Sequence, residues 1–145
     1  MTSTKLYNSF PRMSYQKKIA LINFIYFNQE GSSLNKSTIT HLMDYALKEI
    51  SSFGGFVVTE ENEVEILGAM VVNNTGMEGY MPNNLIVASA FLQSPGKEGS
   101  KKRILQKIMH ATRGDAALFI KNTHHQENIF NELNVKTIKM LAAVD

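Results

Sequence analysis

The sequence predicts an α/β (α+β) fold, a mixed, mostly antiparallel sheet with helices on both faces. Apolar residues recur every three or four positions within residues 14–50, which is the period of an amphipathic helix. After Gly54 this period gives way to β-rich runs that follow one another closely, which is typical of antiparallel hairpins. Between residues 85 and 121 a β-rich run, a helical run and a second β-rich run predict a right-handed crossover between parallel strands.

The N-terminal part of the chain predicts two helices. The sequence allows a short strand at residues 5–8 before the first helix, which we expect over residues 14–29 with Ser14 as its cap. Gly31 and the two serines after it end that helix. The second helix is expected over residues 35–50, because its apolar side chains trace one face.

The rest of the chain predicts most of the sheet. Its first two strands form a hairpin around a turn at Asn62, and a loop with two glycines precedes the third. The expected elements are strands at residues 55–61, 64–74 and 85–93, a helix at 100–112, a strand at 116–121, a helix at 123–133 and a strand at 135–144.

The composition limits the classes of function. At 145 residues the chain is long enough to bury a proper core, and we expect a single domain over residues 1–145. The absence of cysteine excludes disulfides, thiolate metal sites and cysteine nucleophiles. A formal net charge of only +2 does not demand a nucleic-acid surface, so nucleic acid is not an expected partner.

An apolar run at residues 19–27 bears on cellular location. It is too short for a membrane span, which takes about 18 apolar residues. With Lys17 and Lys18 before it, the run faintly resembles a signal peptide, but it contains Asn23 and lacks a small-residue cleavage site. We expect an N-terminal core helix instead, with no membrane association and a cytoplasmic location.

Residues 94–109, SPGKEGSKKRILQKIM, carry the clearest chemical signal. A predicted strand leads into a loop that contains Gly96 and Gly99, and a basic helix start follows. The free N–H groups and the positive dipole end of a helix N-terminus suit a phosphate, so we expect a phosphate-bearing ligand here. The alternatives for the basic run are a nucleic-acid contact, which the lack of interleaved aromatic residues disfavours, and a solvated helix face.

The order of the predicted elements, with a glycine loop after the third clear strand, resembles the GNAT superfamily of acetyl-CoA-dependent N-acyltransferases. One branch of that superfamily has similar runs in the same register from residue 53 to about residue 135, which is more than half of this chain. The runs that carry the resemblance are FGGFV at residues 53–57, GA at 68–69, VN at 72–73, TGMEGYMP at 75–82 and GDAAL at 114–118.

The resemblance implies a GNAT-like acyl-CoA N-acyltransferase fold. The implied reaction moves an acetyl group from acetyl-CoA to a primary amine of an unknown small molecule or protein. Backbone N–H groups near Ala90, Phe91 and Leu92 would hold the thioester carbonyl. The other residues implied in coenzyme A binding are Gly96, Lys97, Gly99, Ser100, Lys101, Lys102 and His124. Folds of this kind are often dimeric, so a homodimer is a further expectation.

The sequence departs from the family pattern where the chemistry is expected. Gly96 stands at an arginine position of the family's glycine loop, Lys101 at its last glycine position, and His124 at an asparagine position. Phe130 stands where the family enzymes carry a tyrosine that protonates the leaving thiolate. Phenylalanine has no hydroxyl, so residue 130 cannot act as a general acid. The alternative interpretation of Phe130 is a side chain of the hydrophobic core. These changes favour a second hypothesis, in which a catalytically degenerate GNAT-fold domain acts as a binding or interaction module.

The loop at residues 75–84 is the candidate acceptor site. Glu78 is the candidate group that positions or deprotonates the amine, and its alternative is a solvated loop carboxylate. Met77 and Tyr80 are the candidate pocket residues, and the alternative for Tyr80 is to hold the loop together.

A metal site is not expected from the histidines. His124 and His125 are adjacent, so their side chains diverge at a helix start, and no third ligand lies at a recognisable spacing. Polar positions at the start of a helix are the simpler interpretation.

Overall fold

The structure, a computed structural model, describes residues 2–8, 13–47, 54–77, 79–120 and 136–139. These ranges contain six strands and three helices. In chain order they are β1 (Ser3–Tyr7), α1 (Tyr15–Asn28), α2 (Lys36–Ala46), β2 (Gly54–Glu61), β3 (Ile66–Asn74), β4 (Asn84–Phe91), α3 (Lys97–Thr112), β5 (Ala116–Ile120) and β6 (Lys136–Lys139).

The strands form one sheet whose spatial order equals the chain order, β1 to β6. The pairings from β1 to β4 are antiparallel, and those from β4 to β6 are parallel. The mixed, mostly antiparallel sheet, the hairpin of β2 and β3 and the crossover through α3 are therefore confirmed.

The helices cover both faces of the sheet, as the sequence predicts. Alternation along β3 divides its side chains, because Ala69 and Val71 face α1 and α2, whereas Met70 and Val72 face α3. The buried apolar residues that the helices contribute are Leu21, Ile22 and Ile25 from α1, Ile39, Met43 and Ala46 from α2, and Ile104, Leu105 and Ile108 from α3. Each face of the sheet thus has its own apolar core.

The helix starts follow from local capping. The side chain of Ser14 accepts a hydrogen bond from the Lys17 N–H at 3.1 Å, and that of Asn35 accepts one from the Thr38 N–H at 2.8 Å. Helix α3 begins at Lys97, three residues before the predicted start, with Gly96 at its N-cap position. Two residues usually disfavoured in helices, Gly99 and Ser100, therefore lie in its first turn, where packing outweighs propensity.

Some predicted boundaries fall on undescribed parts of the chain. The predicted second helix extends to residue 50, whereas α2 ends at Ala46 and residues 48–53 lie outside the described ranges. The predicted helix at residues 123–133 also lies outside them. Of the final predicted strand, residues 136–139 are described, and they form β6.

Two adjacent carboxylates on β2 are buried on opposite faces of the sheet. Glu60 is fully buried and accepts hydrogen bonds from Thr4 Oγ1 at 2.5 Å and from Arg103 Nε of α3 at 2.6 Å. Glu61 accepts a hydrogen bond from Tyr7 at 2.8 Å and forms an ion pair with Lys17 of α1. Strand β2 is thereby tied by charge to a helix in each layer.

The second carboxylate makes stability depend on pH. Burial raises the pKa of the Glu61 carboxyl, but the hydrogen bonds from Lys17, Thr59 and Tyr7 outweigh burial and lower the pKa below its ordinary value. A lowered pKa in the folded state contributes stability above the ordinary glutamate pKa, about 4.3, and that contribution is lost as the pH falls further.

We expect Glu61→Gln to lower the free energy of unfolding at pH 7, and we expect the difference from the wild type to shrink as the pH falls below about 4.3. Urea unfolding at a series of pH values measures this difference. Glu63→Gln, a change at an exposed neighbour in the turn, is the control and should leave the curve close to that of the wild type. If the difference in free energy of unfolding between Glu61→Gln and the wild type stays constant across the acid range, the lowered pKa of Glu61 is not its cause.

Candidate functional site

The parallel strands β4 and β5 separate part of the way along β4. β5 pairs with Asn84, Leu85 and Ile86, and no pairing between described residues joins the remainder of β4 to β5. A register shift between Val71 and Val72 of β3 marks the same place, because an extra residue of β4 bulges there. Within the described residues β5 therefore leaves the backbone edge of β4 beyond Ile86, and we call the region between this edge and β5 the cleft.

The N-terminus of α3 forms one end of this cleft. β4 ends at Phe91, and α3 begins six residues later at Lys97. Within the described chain no side chain caps the helix at Gly96, and because the Lys97 N–H donates to the Ser94 carbonyl at 3.1 Å, the amides of Glu98 and Gly99 are the ones left for an external acceptor. Uncapped amides and the helix dipole suit an anion, which agrees with the chemistry expected from the sequence.

Two lysines of α3 contact a carboxylate from the other side of the cleft. Lys101 is only 3% exposed, and its Nζ lies 2.9 Å from Glu30 Oε1 and 5.3 Å from the centre of the Phe91 ring. Lys97 forms an ion pair with the second carboxylate oxygen of Glu30. Burial raises the pKa of Glu30, but the two lysines outweigh burial and lower it below its ordinary value.

The residue pair Gln29 and Glu30 also covers the open edge of β4. Gln29 forms an isolated antiparallel bridge with Ala90, and the Glu30 N–H donates to the Ser89 carbonyl at 2.9 Å. The cleft is therefore closed along residues 89–90 by the chain itself.

The backbone expected to hold a thioester carbonyl is in large part engaged in the fold. The Leu92 N–H donates to the Leu67 carbonyl at 2.9 Å, and Ala90 pairs with Gln29. Phe91 is fully buried, and its ring lies so close to Gly68 that a Cβ there would be 2.6 Å from two ring carbons. These residues form the wall of the cleft, at the end next to α3.

The residues expected to hold the pyrophosphate lie in the first turns of α3, not in a loop. Gly99 lies beside the Arg103 guanidinium, Ser100 is buried, and Lys102 is exposed. The structure thus brings Gly96, Lys97, Gly99, Ser100, Lys101 and Lys102 together with Ala90, Phe91 and Leu92 at one end of β4. His124 lies outside the described residues.

The candidate acceptor loop lies at the other end of β4. The Thr75 N–H donates to the Asn83 carbonyl at 2.8 Å, which holds the loop next to the first residue of the strand. With a rise of about 3.3 Å per residue, that end is about 20 Å from Ala90. Met77 and Tyr80 are exposed there, and Tyr80 lines a cavity of about 350 Å³ together with Asp115. The structure therefore does not bring Met77 or Tyr80 together with the N-terminus of α3, and Tyr80 lies instead near Gly114 and Asp115, which follow the other end of that helix.

Two other candidate residues cannot be placed. Glu78 and Phe130 lie outside the described residues, as do His124 and His125. In the described part of the chain no group of three His, Cys, Asp or Glu side chains is arranged to hold a metal ion. The same part contains no helix that is both long and apolar enough to cross a lipid bilayer.

The structure adds two polar residues that the sequence does not reveal, Glu30 and Ser89. Glu30 precedes the stretch that carries the family resemblance, and no local pattern links it to lysines 67 and 71 positions later. Ser89 sits within a strand-like run, where a serine is unremarkable. Its side chain is 1% exposed, and its Oγ has no hydrogen-bond partner among the residues the structure describes. A buried hydroxyl without a partner on the strand that borders the cleft marks a place where a ligand can supply one.

The unpaired hydroxyl of Ser89 has a cost in stability. We expect Ser89→Ala to raise the free energy of unfolding by about 1 kcal/mol, because a buried hydroxyl without a hydrogen bond is removed. Denaturant unfolding of the ligand-free protein measures the change. Thr59→Val is the matched control, because the Thr59 hydroxyl is equally buried but donates to Glu61 at 2.5 Å, and its removal should lower stability. A loss of stability in Ser89→Ala would contradict this account.

Comparisons with solved structures identify the fold. A GNAT-family acetyltransferase of Streptococcus pneumoniae, SP0256, superposes over 100% of this chain and 92% of its own, with a TM-score of 0.62 and 9% sequence identity. The chain has the GNAT fold. An aminoglycoside acetyltransferase from an uncultured soil metagenomic sample, solved with sisomicin, superposes over 92% of this chain and 85% of its own, with a TM-score of 0.56 and 13% identity.

The GNAT resemblance predicted from the sequence is therefore confirmed at the level of the fold. No protein-family model matches the sequence, and no curated protein sequence matches it. At 9% and 13% identity, the GNAT neighbours describe the architecture, and the chemistry has to be argued from the cleft itself.

Proposed function

We propose that the protein is a divergent GNAT acyltransferase that transfers an acetyl group from acetyl-CoA to a primary amine. The observation that carries this proposal is the cleft where β4 leaves β5, directly beside the uncapped N-terminus of α3, on a GNAT fold. The edge of β4, where Gln29 and Glu30 do not cover it, suits the amide groups of a pantetheine arm, and the helix N-terminus suits a pyrophosphate.

The residues around the cleft fit this substrate in their chemistry. The amides of the first turn of α3 and the Lys97 and Lys102 side chains would hold the phosphates, and the Ser89 hydroxyl would meet a polar group of the arm. Acetyl-CoA supplies the activated acyl group as a thioester. The amine nitrogen would form the new bond to the acyl carbon while the carbon–sulfur bond breaks, and the thiolate would leave with both bonding electrons. The amine proton then passes to solvent or to a nearby base.

A second candidate function is a GNAT-fold domain without catalysis, which acts as a binding or interaction module. The specific observation in its favour is that Glu30 engages both Lys97 and Lys101 while Gln29 bridges Ala90. The departures at Gly96, Lys101, His124 and Phe130 point the same way. Single domain organisation, a homodimer and a cytoplasmic location stay predictions.

Calorimetric titration with acetyl-CoA tests the proposal. Heat of binding at micromolar to millimolar ligand, together with release of free thiol over a panel of primary amines, would support an acyltransferase. Binding without thiol release would favour the second candidate. No heat at millimolar acetyl-CoA would exclude both coenzyme A binding and acyl transfer.

A tryptophan at position 99 should weaken acetyl-CoA binding at least about tenfold, because an indole on the first turn of α3 covers the amides that would meet the phosphates. A Cβ at Gly99 would lie 3.2 Å from Arg103 Nη1, and Arg103 also holds the buried Glu60 carboxylate, so urea unfolding of Gly99→Trp is measured alongside binding to show that the variant is folded. Lys107→Trp, at an exposed position two turns further along α3, is the control and should bind like the wild type. If both variants bind acetyl-CoA with the affinity of the wild type, the N-terminus of α3 is not part of the binding site.

A further inference from the structure

The connection between α1 and α2 has a defined conformation and lies against the cleft. The Gln29 side chain accepts a hydrogen bond from the Leu34 N–H at 2.8 Å and donates to the Leu34 carbonyl at 2.9 Å. It also accepts a hydrogen bond from Ser32 Oγ at 2.8 Å. These three bonds fix the conformation of the connection, so the placement of Glu30 over the cleft is specified by the sequence.

Glu30 meets both surfaces that a phosphate-bearing ligand would need. Its backbone N–H donates a hydrogen bond to the Ser89 carbonyl on the edge of β4, and its carboxylate forms ion pairs with Lys97 and Lys101 at the start of α3. One carboxylate oxygen faces each ammonium group. Two oxygens of a phosphate would bind the same pair of lysines in the same way.

The burial of Lys101 shows that the Glu30 carboxylate shields this lysine from solvent. Its side chain is 4% exposed and that of Glu30 is 13% exposed, so the ion pair is withdrawn from water. A buried ammonium group retains its charge only with a partner. A ligand phosphate can therefore reach Lys101 only by taking the place of the Glu30 carboxylate.

We propose that Glu30 is an internal competitor for the phosphate position, so that a coenzyme A ligand binds only when Gln29 and Glu30 move away from Ser89 and the two lysines. This inference rests on the proposed function. Glu30 then sets the affinity of the site, because the apparent dissociation constant is the intrinsic one divided by the open fraction.

Calorimetric titration of Glu30→Gln with two probes, coenzyme A and inorganic pyrophosphate, tests this proposal. Glutamine keeps the shape and one acceptor oxygen for Lys101 but lacks the charge that competes with phosphate. We expect both probes to bind Glu30→Gln at least about tenfold more tightly than the wild type. Glu63→Gln, the same chemical change at an exposed position in the turn between β2 and β3, should bind like the wild type.

The outcomes separate the two proposals. If the wild type binds coenzyme A and Glu30→Gln binds it equally or more weakly, Glu30 is not a competitor, and the proposed function stands. A gain for pyrophosphate with no coenzyme A binding by either protein would support the competition and overturn the proposed function. If neither probe binds either protein, both proposals are wrong.

Hydrogen exchange on the wild type gives a test that does not depend on the folding of a variant. The Glu30 amide donates to Ser89 in the closed arrangement, so saturation with coenzyme A should speed its exchange by about tenfold or more. An amide that exchanges at the same rate or more slowly in the saturated complex would overturn the proposal.

Discussion

Gly55→Ala should destabilise the protein severely. Gly55 lies on β2 with φ +159°, and a Cβ at this position would lie 1.9 Å from the Val72 carbonyl oxygen of β3. The obstacle is backbone in the centre of the sheet, so no side chain can move aside to make room. We expect a loss of more than about 4 kcal/mol, which is a large part of the stability of a small domain. Far-ultraviolet circular dichroism and urea unfolding measure it.

Gly96→Ala is the control for this prediction. Gly96 has φ −87°, and nothing lies within 4 Å of the position that its Cβ would take. Alanine there should cost less than about 1 kcal/mol, which is the difference between a good and a poor N-cap residue. A Gly55→Ala protein that unfolds cooperatively near the wild-type midpoint would show that β2 and β3 do not approach each other as described.

Glu30→Ala should lower the free energy of unfolding at neutral pH by about 3 kcal/mol or more. The change leaves the buried ammonium group of Lys101 without its carboxylate, and an uncompensated buried charge typically costs about 3 to 5 kcal/mol. Urea unfolding at pH 7 measures the effect.

The double variant Glu30→Ala with Lys101→Met isolates the cause. Methionine removes the charge and keeps a flexible apolar chain against the Phe91 ring, so it should recover part of the lost stability. Glu98→Ala, at an exposed glutamate on the first turn of the same helix, should cost less than about 1 kcal/mol. A double variant no more stable than Glu30→Ala alone would show that the charge of Lys101 is not the cause.

The secondary structure was accessible from the sequence because its signals are local. The Ser14 cap and the turn at Asn62 act over a few residues, and the structure has them where the patterns place them. The sequence predicts the start of α3 three residues later than the structure has it. Glycine and serine at positions 99 and 100 are typical of loops, and burial of Ser100 against the sheet overrides that preference.

The candidate site was accessible only in part because its contacts join distant parts of the chain. The expected anion position at α3 follows from a continuous motif at residues 94–109. The Glu30 contact to Lys101 spans 71 residues, and no periodicity or spacing carries such a pairing. The position of the loop with Met77 and Tyr80 at the opposite end of β4 follows from chain order, because that loop precedes the strand and the start of α3 follows it.

The agreement between strand order and chain order has a consequence for how the molecule folds. Each strand pairs with the strand that precedes it, so the entropy lost in each pairing is limited by the length of a single connection. The longest of these connections separates β1 from β2 and contains α1 and α2. We therefore expect β1 to pair with β2 late in folding. Changes at Thr4 or Tyr7 should then speed unfolding and leave the rate of refolding unchanged.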